Sequence, residues 1–398
     1  MSEPFGNDRE QTPAQWAVRW HVVVVAGLML GMAPLMHFWW YGWRGESRPI
    51  LATKSYVPMP AATTATVADG TWMVAADRHL REASPQAFWL RSTWSETLYR
   101  LGAPQSSTVH FGKDAWMFGA KTLQPDVDEL ARRRAARLSM LGSVKAAVEA
   151  AGARLVVSLV PDKVRIYPEQ AQDGAIAATQ DAVYGTLLAE LRELGIAAPD
   201  LATQLRLGKP FVNEPLYFAR DSHWRPVGAF VAAQALAGAI EALPLPTALQ
   251  PRQPVTVVME YQNERLGDLA AAAGFCSLEE GDGKTVSRPA SALTRQLVES
   301  SQVYRTGVVR GGEIVRFTGD EADAEIVLAG TSFAYDGSQA LRLAAGRPVH
   351  ACIHDGADGL AGIREVVAKL PKLAKAKVVV WEIVERGFLE APWREPRR

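Results

Sequence analysis

The sequence predicts an α/β fold: a parallel sheet flanked by helices. Three observations carry the fold class. Residues 154–160, 325–330 and 377–384 are short apolar runs with the form of strands buried on both faces. Segments with apolar residues at helical spacing lie between such runs. Strands separated by helices return to the same edge of the sheet each time, and that makes the sheet parallel.

The elements follow in order. Residues 126–151 place Leu130, Leu138, Leu141, Val144 and Val148 at helical spacing, with Arg132, Arg133 and Arg134 on the other side. Gly152 closes that helix, and the strand at 154–160 ends in Pro161. Residues 181–194 are helical again, with Gly195 as the stop. Pro226 opens a helix running to about Ile240, at the position where a missing N–H costs nothing. Residues 325–330 and 349–353 are strands, 363–370 a helix and 377–384 the last strand. Residues 245–320 lack a clear period and read as an insertion.

Composition narrows the function. The 398 residues hold 43 Lys+Arg and 43 Asp+Glu, so the chain lacks the basic excess of a nucleic-acid binder. Its 48% hydrophobic content is that of a folded chain. Two cysteines, Cys276 and Cys352, leave room for one optional bridge and none for a Cys-rich zinc site.

The first residues differ from the rest. A short tail, 1–21, precedes residues 22–43, which contain no Asp, Glu, Lys or Arg. As a helix this stretch measures roughly 33 Å, enough to cross a hydrocarbon core of about 30 Å. Trp39, Trp40, Tyr41 and Trp43 crowd one end, where amphipathic rings prefer the headgroup zone. Glu3, Asp8 and Glu10 make the preceding stretch acidic and overlong for a signal peptide, so an uncleaved anchor is expected, with a cleaved signal or a buried helix as the alternatives. Arg9 and Arg19 before the span, against Arg44, Arg48 and Lys54 after it, do not orient it. Residues 44–70, with Pro49, Pro58 and Pro60, read as a linker, and 71–398 as the catalytic body.

Three strand ends carry unusual residues, at the edge where open parallel sheets place their sites. Gly330-Thr331-Ser332-Phe333 follows the strand at 325–330, and a serine there can present its hydroxyl at the rim. The alternative is a plain turn serine, and no Gly-x-Ser-x-Gly elbow occurs. Asp221-Ser222-His223-Trp224 stands just before the Pro226 helix, giving a histidine base with a carboxylate at short spacing, or else a capping Asp and a surface His. Trp381-Glu382-Ile383-Val384-Glu385-Arg386 ends the last strand; Arg386 either binds an anionic substrate or pairs with Glu385 or Glu382. Gly283-Lys284-Thr285 is not a phosphate loop, because Leu278 stands where its first Gly is required.

Together with Gly112-Lys113-Asp114-Ala115-Trp116-Met117-Phe118 and the stretch from Val160-Pro161-Asp162-Lys163 to Tyr167-Pro168-Glu169, these segments resemble the AlgJ/AlgX family of alginate O-acetylation proteins, in family order over about 110–390. Ala115 replaces the usual Gly, and no AlgX-like carbohydrate-binding module is evident, so the AlgJ type fits better. The resemblance implies an SGNH-hydrolase-like fold, with Ser332 as acetyl-accepting nucleophile, His223 as its base and Asp221 as the orienting acid. Trp224, Arg386 and Lys163 are then the substrate-binding candidates. It further implies an exopolysaccharide acceptor (alginate or a polymer such as cellulose), a periplasmic body on an inner-membrane anchor, and a membrane-bound O-acyltransferase supplying acetyl groups. The chemistry needs no cofactor and no metal. An acetylesterase using the same triad, or an idle polysaccharide-binding subunit, are the other readings.

Overall fold

The computed structural model describes residues 63–68, 71–72, 74, 85–102, 108–123, 125–171, 176–275, 292–317, 323–356, 359–390 and 393. The expected anchor at 22–43, the tail before it, most of the linker and Cys276 lie outside these residues. Among the described residues no helix is long and apolar enough to cross a membrane. The chain divides into two units, residues 1–96 with 276–290, and residues 97–275 with 291–398. Within the first, Thr64–Ala68 of the expected linker is a short helix, and Thr63 and Thr66 exchange backbone-to-hydroxyl bonds of 3.0 and 3.2 Å across its first turn.

The second unit holds every candidate residue. It begins with the antiparallel pair β1 (Val109–Phe111) and β2 (Met117–Gly119). A short helix, Val127–Arg132, precedes α1 (Arg134–Ala150), and β3 (Arg154–Val160), α2 (Ile176–Glu193), α3 (Leu201–Gly208) and α4 (Pro226–Glu241) follow. Next come β4 (Val255–Leu266), β5 (Val298–Arg310) and β6 (Glu313–Arg316). The chain ends with β7 (Ile326–Gly330), α5 (Ala334–Ala345), β8 (Val349–Ile353), α6 (Leu360–Lys369), β9 (Val378–Val384) and α7 (Glu385–Glu390). The helix expected over 126–151 is thus two pieces. Asp126 caps the first by accepting the Glu129 N–H at 2.8 Å, and Arg133, at φ −87° and ψ −2°, is where the two meet.

β3, β9, β7 and β8 form the parallel sheet in that order. All residues of β7 and β9 are buried, which is why both read as apolar runs, interrupted only by Glu382 in β9. α1 and α6 pack together against the sheet, and α3, α4 and α5 form a second group packed against it. The core between them includes Leu187, Leu191, Leu205, Ala232, Ile363 and Val366. Arg137 of α1 is also wholly buried, its guanidinium donating to both Glu190 oxygens at 2.7 and 2.6 Å.

The insertion is a three-stranded antiparallel sheet of β4, β5 and β6, with a register shift between Val257 and Met259. Most β4 residues are half or fully exposed, so the strand shows no buried alternation for a periodicity argument to detect. The carboxyl ends of β3, β7 and β9 bring Asp162 and Lys163, Ser332, and Arg386 to one edge of the parallel sheet.

Candidate active site

Ser332 sits in the tight turn between β7 and α5. Gly330 makes that turn possible, because a Cβ there would stand 2.4 Å from the Ala334 methyl. Thr331 anchors the turn from below: its N–H and hydroxyl donate to Glu382 Oε1 at 3.0 and 2.7 Å, and its hydroxyl oxygen accepts the Phe333 N–H at 3.2 Å. Among the described residues the Ser332 N–H makes no hydrogen bond, so it remains able to donate to an oxyanion formed at Ser332. Glu382 is wholly buried, and burial pushes its carboxyl up to about 7 against the two Thr331 bonds that pull it down.

The histidine arrives on a loop closed by a bridge between Tyr217 and Trp224 and held by α4. Asp221 Oδ1 lies 2.9 Å from the His223 N–H and 2.6 Å from Nδ1, and Nε2 lies 2.7 Å from Ser332 Oγ. An ionised carboxylate can only accept, so the ring proton stands on Nδ1 and Nε2 accepts the serine hydroxyl. Burial would raise the Asp221 carboxyl, but the His223 hydrogen bond and the Arg265 charge outweigh it and hold the group well below the usual carboxylate range. The imidazole is one-fifth exposed, so the acid end is closed and the reacting end open.

The end of β4 completes the loop. Asp268 accepts the Ser222 N–H and hydroxyl at 2.6 Å each, and its own N–H donates to Asp221 Oδ2 at 3.2 Å. A Cβ on Gly267 would come 2.2 Å from the Arg220 carbonyl oxygen, so only glycine permits this approach. Ligand atoms of Asp221, His223 and Asp268 lie within 4.8 Å of one another. Their oxygens and the ring nitrogens already serve the hydrogen bonds just described, so the cluster reads as a network orienting the imidazole.

Two charged residues grip the same loop. Lys163 Nζ donates to the carbonyls of Phe218, Ala219 and Asp221 at 3.1, 2.9 and 3.0 Å. The Trp116 and Phe118 rings lie 5.5 and 5.2 Å from the ammonium. Burial lowers Lys163 to about 7, countered in part by the charges of Asp221 and Glu299. Buried Glu299, from β5, accepts the N–H groups of Ala219 and Arg220 at 2.8 and 2.6 Å.

The structure brings Ser332, His223 and Asp221 together as the motifs suggest. It corrects two substrate-binding assignments. Lys163 is buried with its ammonium spent on three carbonyls, and Trp224 is buried with its Nε1–H donating to the Phe333 carbonyl at 3.1 Å. Both position the loop. Arg386 is partly exposed, and pairs with Asp162 at 3.1 Å and with Ser222 Oγ at 3.2 Å, neither Glu385 nor Glu382 being its partner. Glu385 instead receives the Arg165 guanidinium and the Asp162 N–H. Asp268, Glu299 and Arg265 were invisible to motif reasoning, since all three come from the insertion; a Gly-Asp pair at 267–268 was the one available hint.

Comparisons with known proteins give the family and the fold. Residues 109–385 match the family described as the SGNH hydrolase-like domain of acetyltransferase AlgX. The probable alginate O-acetylase AlgJ of Pseudomonas syringae pv. tomato is 28% identical over 344 residues, covering 84% of this chain and 82% of that protein. The probable alginate O-acetylase AlgJ of Pseudomonas aeruginosa is 26% identical over 321 residues, covering 81% and 74%. The solved O-acetyltransferase domain of Pseudomonas putida AlgJ shares the fold, at a TM-score of 0.54 and 24% identity, over 71% of this chain and 93% of that one. The chain belongs to the SGNH hydrolase-like acetyltransferase family of AlgX.

Proposed function

We propose that this acetyltransferase moves acetyl groups onto hydroxyls of an exopolysaccharide through an acetyl-enzyme on Ser332. The observation that carries the reading is the continuous relay Asp221–His223–Ser332, with links of 2.6 and 2.7 Å. Ser332 Oγ attacks the acetyl carbonyl as its proton passes to His223 Nε2. Asp221 stabilises the imidazolium, and the Ser332 N–H faces the oxyanion. Collapse expels the donor's leaving group, which takes the proton from His223. A sugar hydroxyl then gives its proton to His223 and attacks the ester, and Ser332 regains its proton when the product leaves. The names of the relatives, alginate O-acetylases, support a polysaccharide as acceptor. Mass spectrometry after exposure to a small acetyl ester should find one acetyl group on the Ser332 peptide. An acetyl group carried elsewhere, or none on a folded and ester-cleaving protein, would remove the reading.

The apolar stretch at 22–43 supports an inner-membrane anchor, and the likeness to the AlgJ/AlgX family, not the flanking charges, is the ground for putting the body on the periplasmic side. A body there cannot draw on cytosolic acetyl donors, so a membrane-bound O-acyltransferase is the partner we propose. An alkaline phosphatase fused after residue 398 should be active. An inactive fusion, with a cytoplasmic reporter active in its place, would reverse the topology.

A further inference from the structure

Arg265 stands near the end of β4, outside the segments whose motifs mark the triad. Its cross-strand partner on β5 is Glu299, and both side chains reach the histidine loop. Glu299 takes the amides of Ala219 and Arg220, whereas Arg265 goes to the acid of the triad. Its Nε lies 3.5 Å from Asp221 Oδ2, and its guanidinium lies 4.3 Å over the Phe218 ring. That Nε is buried and makes no hydrogen bond among the described residues, so what Arg265 brings to Asp221 is its charge.

Carboxylates crowd the imidazole. Asp221 Oδ1 and Asp268 Oδ2 lie 2.6 and 3.7 Å from His223 Nδ1. Asp336, on the first turn of α5, lies within reach of the His223 charge. Glu382, beneath the nucleophile turn, is the fourth acid, but burial pushes its carboxyl up to about 7. The cations nearby are mostly engaged. Arg386 pairs with Asp162, burial lowers Lys163 to about 7, and Arg305 donates to the Tyr304 carbonyl and the Tyr261 hydroxyl. Arg265 is a cation whose charge acts on both Asp221 and Asp336. Without it, a ring beside three carboxylates gains a proton more readily, and a protonated ring cannot accept one from Ser332.

We propose that Arg265 is a positioning residue of the triad: acting through Asp221, its charge offsets the carboxylates around His223 and keeps the imidazole free to act as base near neutral pH. The inference rests on the acetyl-enzyme reading above and gives the inserted sheet a part in the reaction.

The test is the pH profile of kcat/KM for a small acetyl ester, measured on the full chain, because that profile reports the base of the free enzyme. Arg265→Met keeps an apolar side chain over Phe218 and removes the charge. Its acid limb should move up by about one pH unit, so the loss of kcat/KM is several-fold greater at pH 6 than at pH 8. Arg265→Lys keeps the charge and should return the limb to its wild-type position. Asp336→Asn removes one of the carboxylates and should move the limb the other way, which keeps the question open to measurement if Arg265→Met does not fold. A loss equal at every pH in Arg265→Met, or a lysine variant no better than the methionine one, would overturn the inference. So would a limb unmoved or raised in Asp336→Asn. Each of these results, with a normal acetyl group on Ser332, leaves the reaction standing. A wild-type protein that cleaves the ester without ever carrying acetyl on Ser332 would instead remove the underlying reading.

Discussion

Lys163 and Glu299 hold one stretch of backbone by its two kinds of polar group. The lysine takes the carbonyls of Phe218, Ala219 and Asp221, and the glutamate takes the amides of Ala219 and Arg220. A loop that must place an imidazole within hydrogen-bond reach of a serine is thereby fixed without help from substrate. Glu299→Ala and Lys163→Met should each lower kcat for a small acetyl ester by about 10²-fold, the penalty of misplacing a reacting group by about 1 Å. KM should change little, since the Lys163 ammonium is committed to backbone carbonyls and Glu299 is buried. Glu299→Gln, able to accept only one of the two N–H groups through its carbonyl oxygen, should fall between. Steady-state kinetics decide: a rise in KM with kcat intact would make these residues part of the binding surface.

The triad variants should behave as one unit. Ser332→Ala should reduce turnover by on the order of 10⁴–10⁶-fold, and His223→Ala nearly as much. Asp221→Ala should be milder but still severe, because the Trp224 anchor and α4 keep the loop in place while the ring loses its acceptor. The double variant Ser332→Ala with His223→Ala should be little worse than Ser332→Ala alone. Near-normal rates in a folded His223→Ala protein would reduce the Asp221–His223 pair to a loop ornament and take the mechanism with it.

The parallel sheet and its helices were legible because their strands are buried on both faces, and Arg154–Val160 and Val349–Ile353 fall where the apolar runs stand. The triad was legible because its residues lie in short segments with their own turn chemistry: a Gly-x-Ser after a strand, and an Asp-x-His before a Pro-led helix. The supports were not. Glu299, on β5, and Asp268, which opens a short helix just after β4, act across 80 and 46 positions of sequence, and most of β4 is exposed and shows no period. Lys163 was recognised by its motif but misassigned, since a lysine's burial depends on the rings that enclose it. Those rings, Trp116 and Phe118, belong to the other motif that the family resemblance used.

Ala115, which stands where the family usually has Gly, is held at φ +60°, and its neighbour Asp114 at φ +50°. A Cβ in the left-handed region costs about 1–2 kcal/mol, part of which glycine returns through the entropy of its unfolded chain. Ala115→Gly should therefore stabilise the protein by about 0.5–1 kcal/mol, with turnover unchanged. Equilibrium urea unfolding measures this directly. A loss of stability would mean that the Ala115 methyl contributes packing exceeding the strain.

Glu382 lies under the nucleophile turn with its carboxyl raised by burial from the ordinary value of 4.5 to about 7. Between those two values the native protein holds a proton that the unfolded chain has released. Stability must then fall as pH rises through that window, with a slope of up to about 1.4 kcal/mol per pH unit from this group. The contribution is fully present below pH 4.5 and is gone above about 7. Glu382→Gln keeps a carbonyl oxygen able to accept the Thr331 N–H and hydroxyl but cannot ionise, so this part of the pH dependence should vanish. Relative to wild type, the variant should gain stability as denaturation is repeated from pH 5 to about 7 and hold that gain to pH 8, and it should retain most of its turnover. Glu382→Ala should differ in kind: it strands two buried donors, lowers stability at every pH by about 1–3 kcal/mol for each, and loosens the turn that aims Ser332. Parallel stability–pH curves for wild type and Glu382→Gln would show that the carboxyl ionises in the native protein as readily as in the unfolded chain, and that burial is not setting its proton.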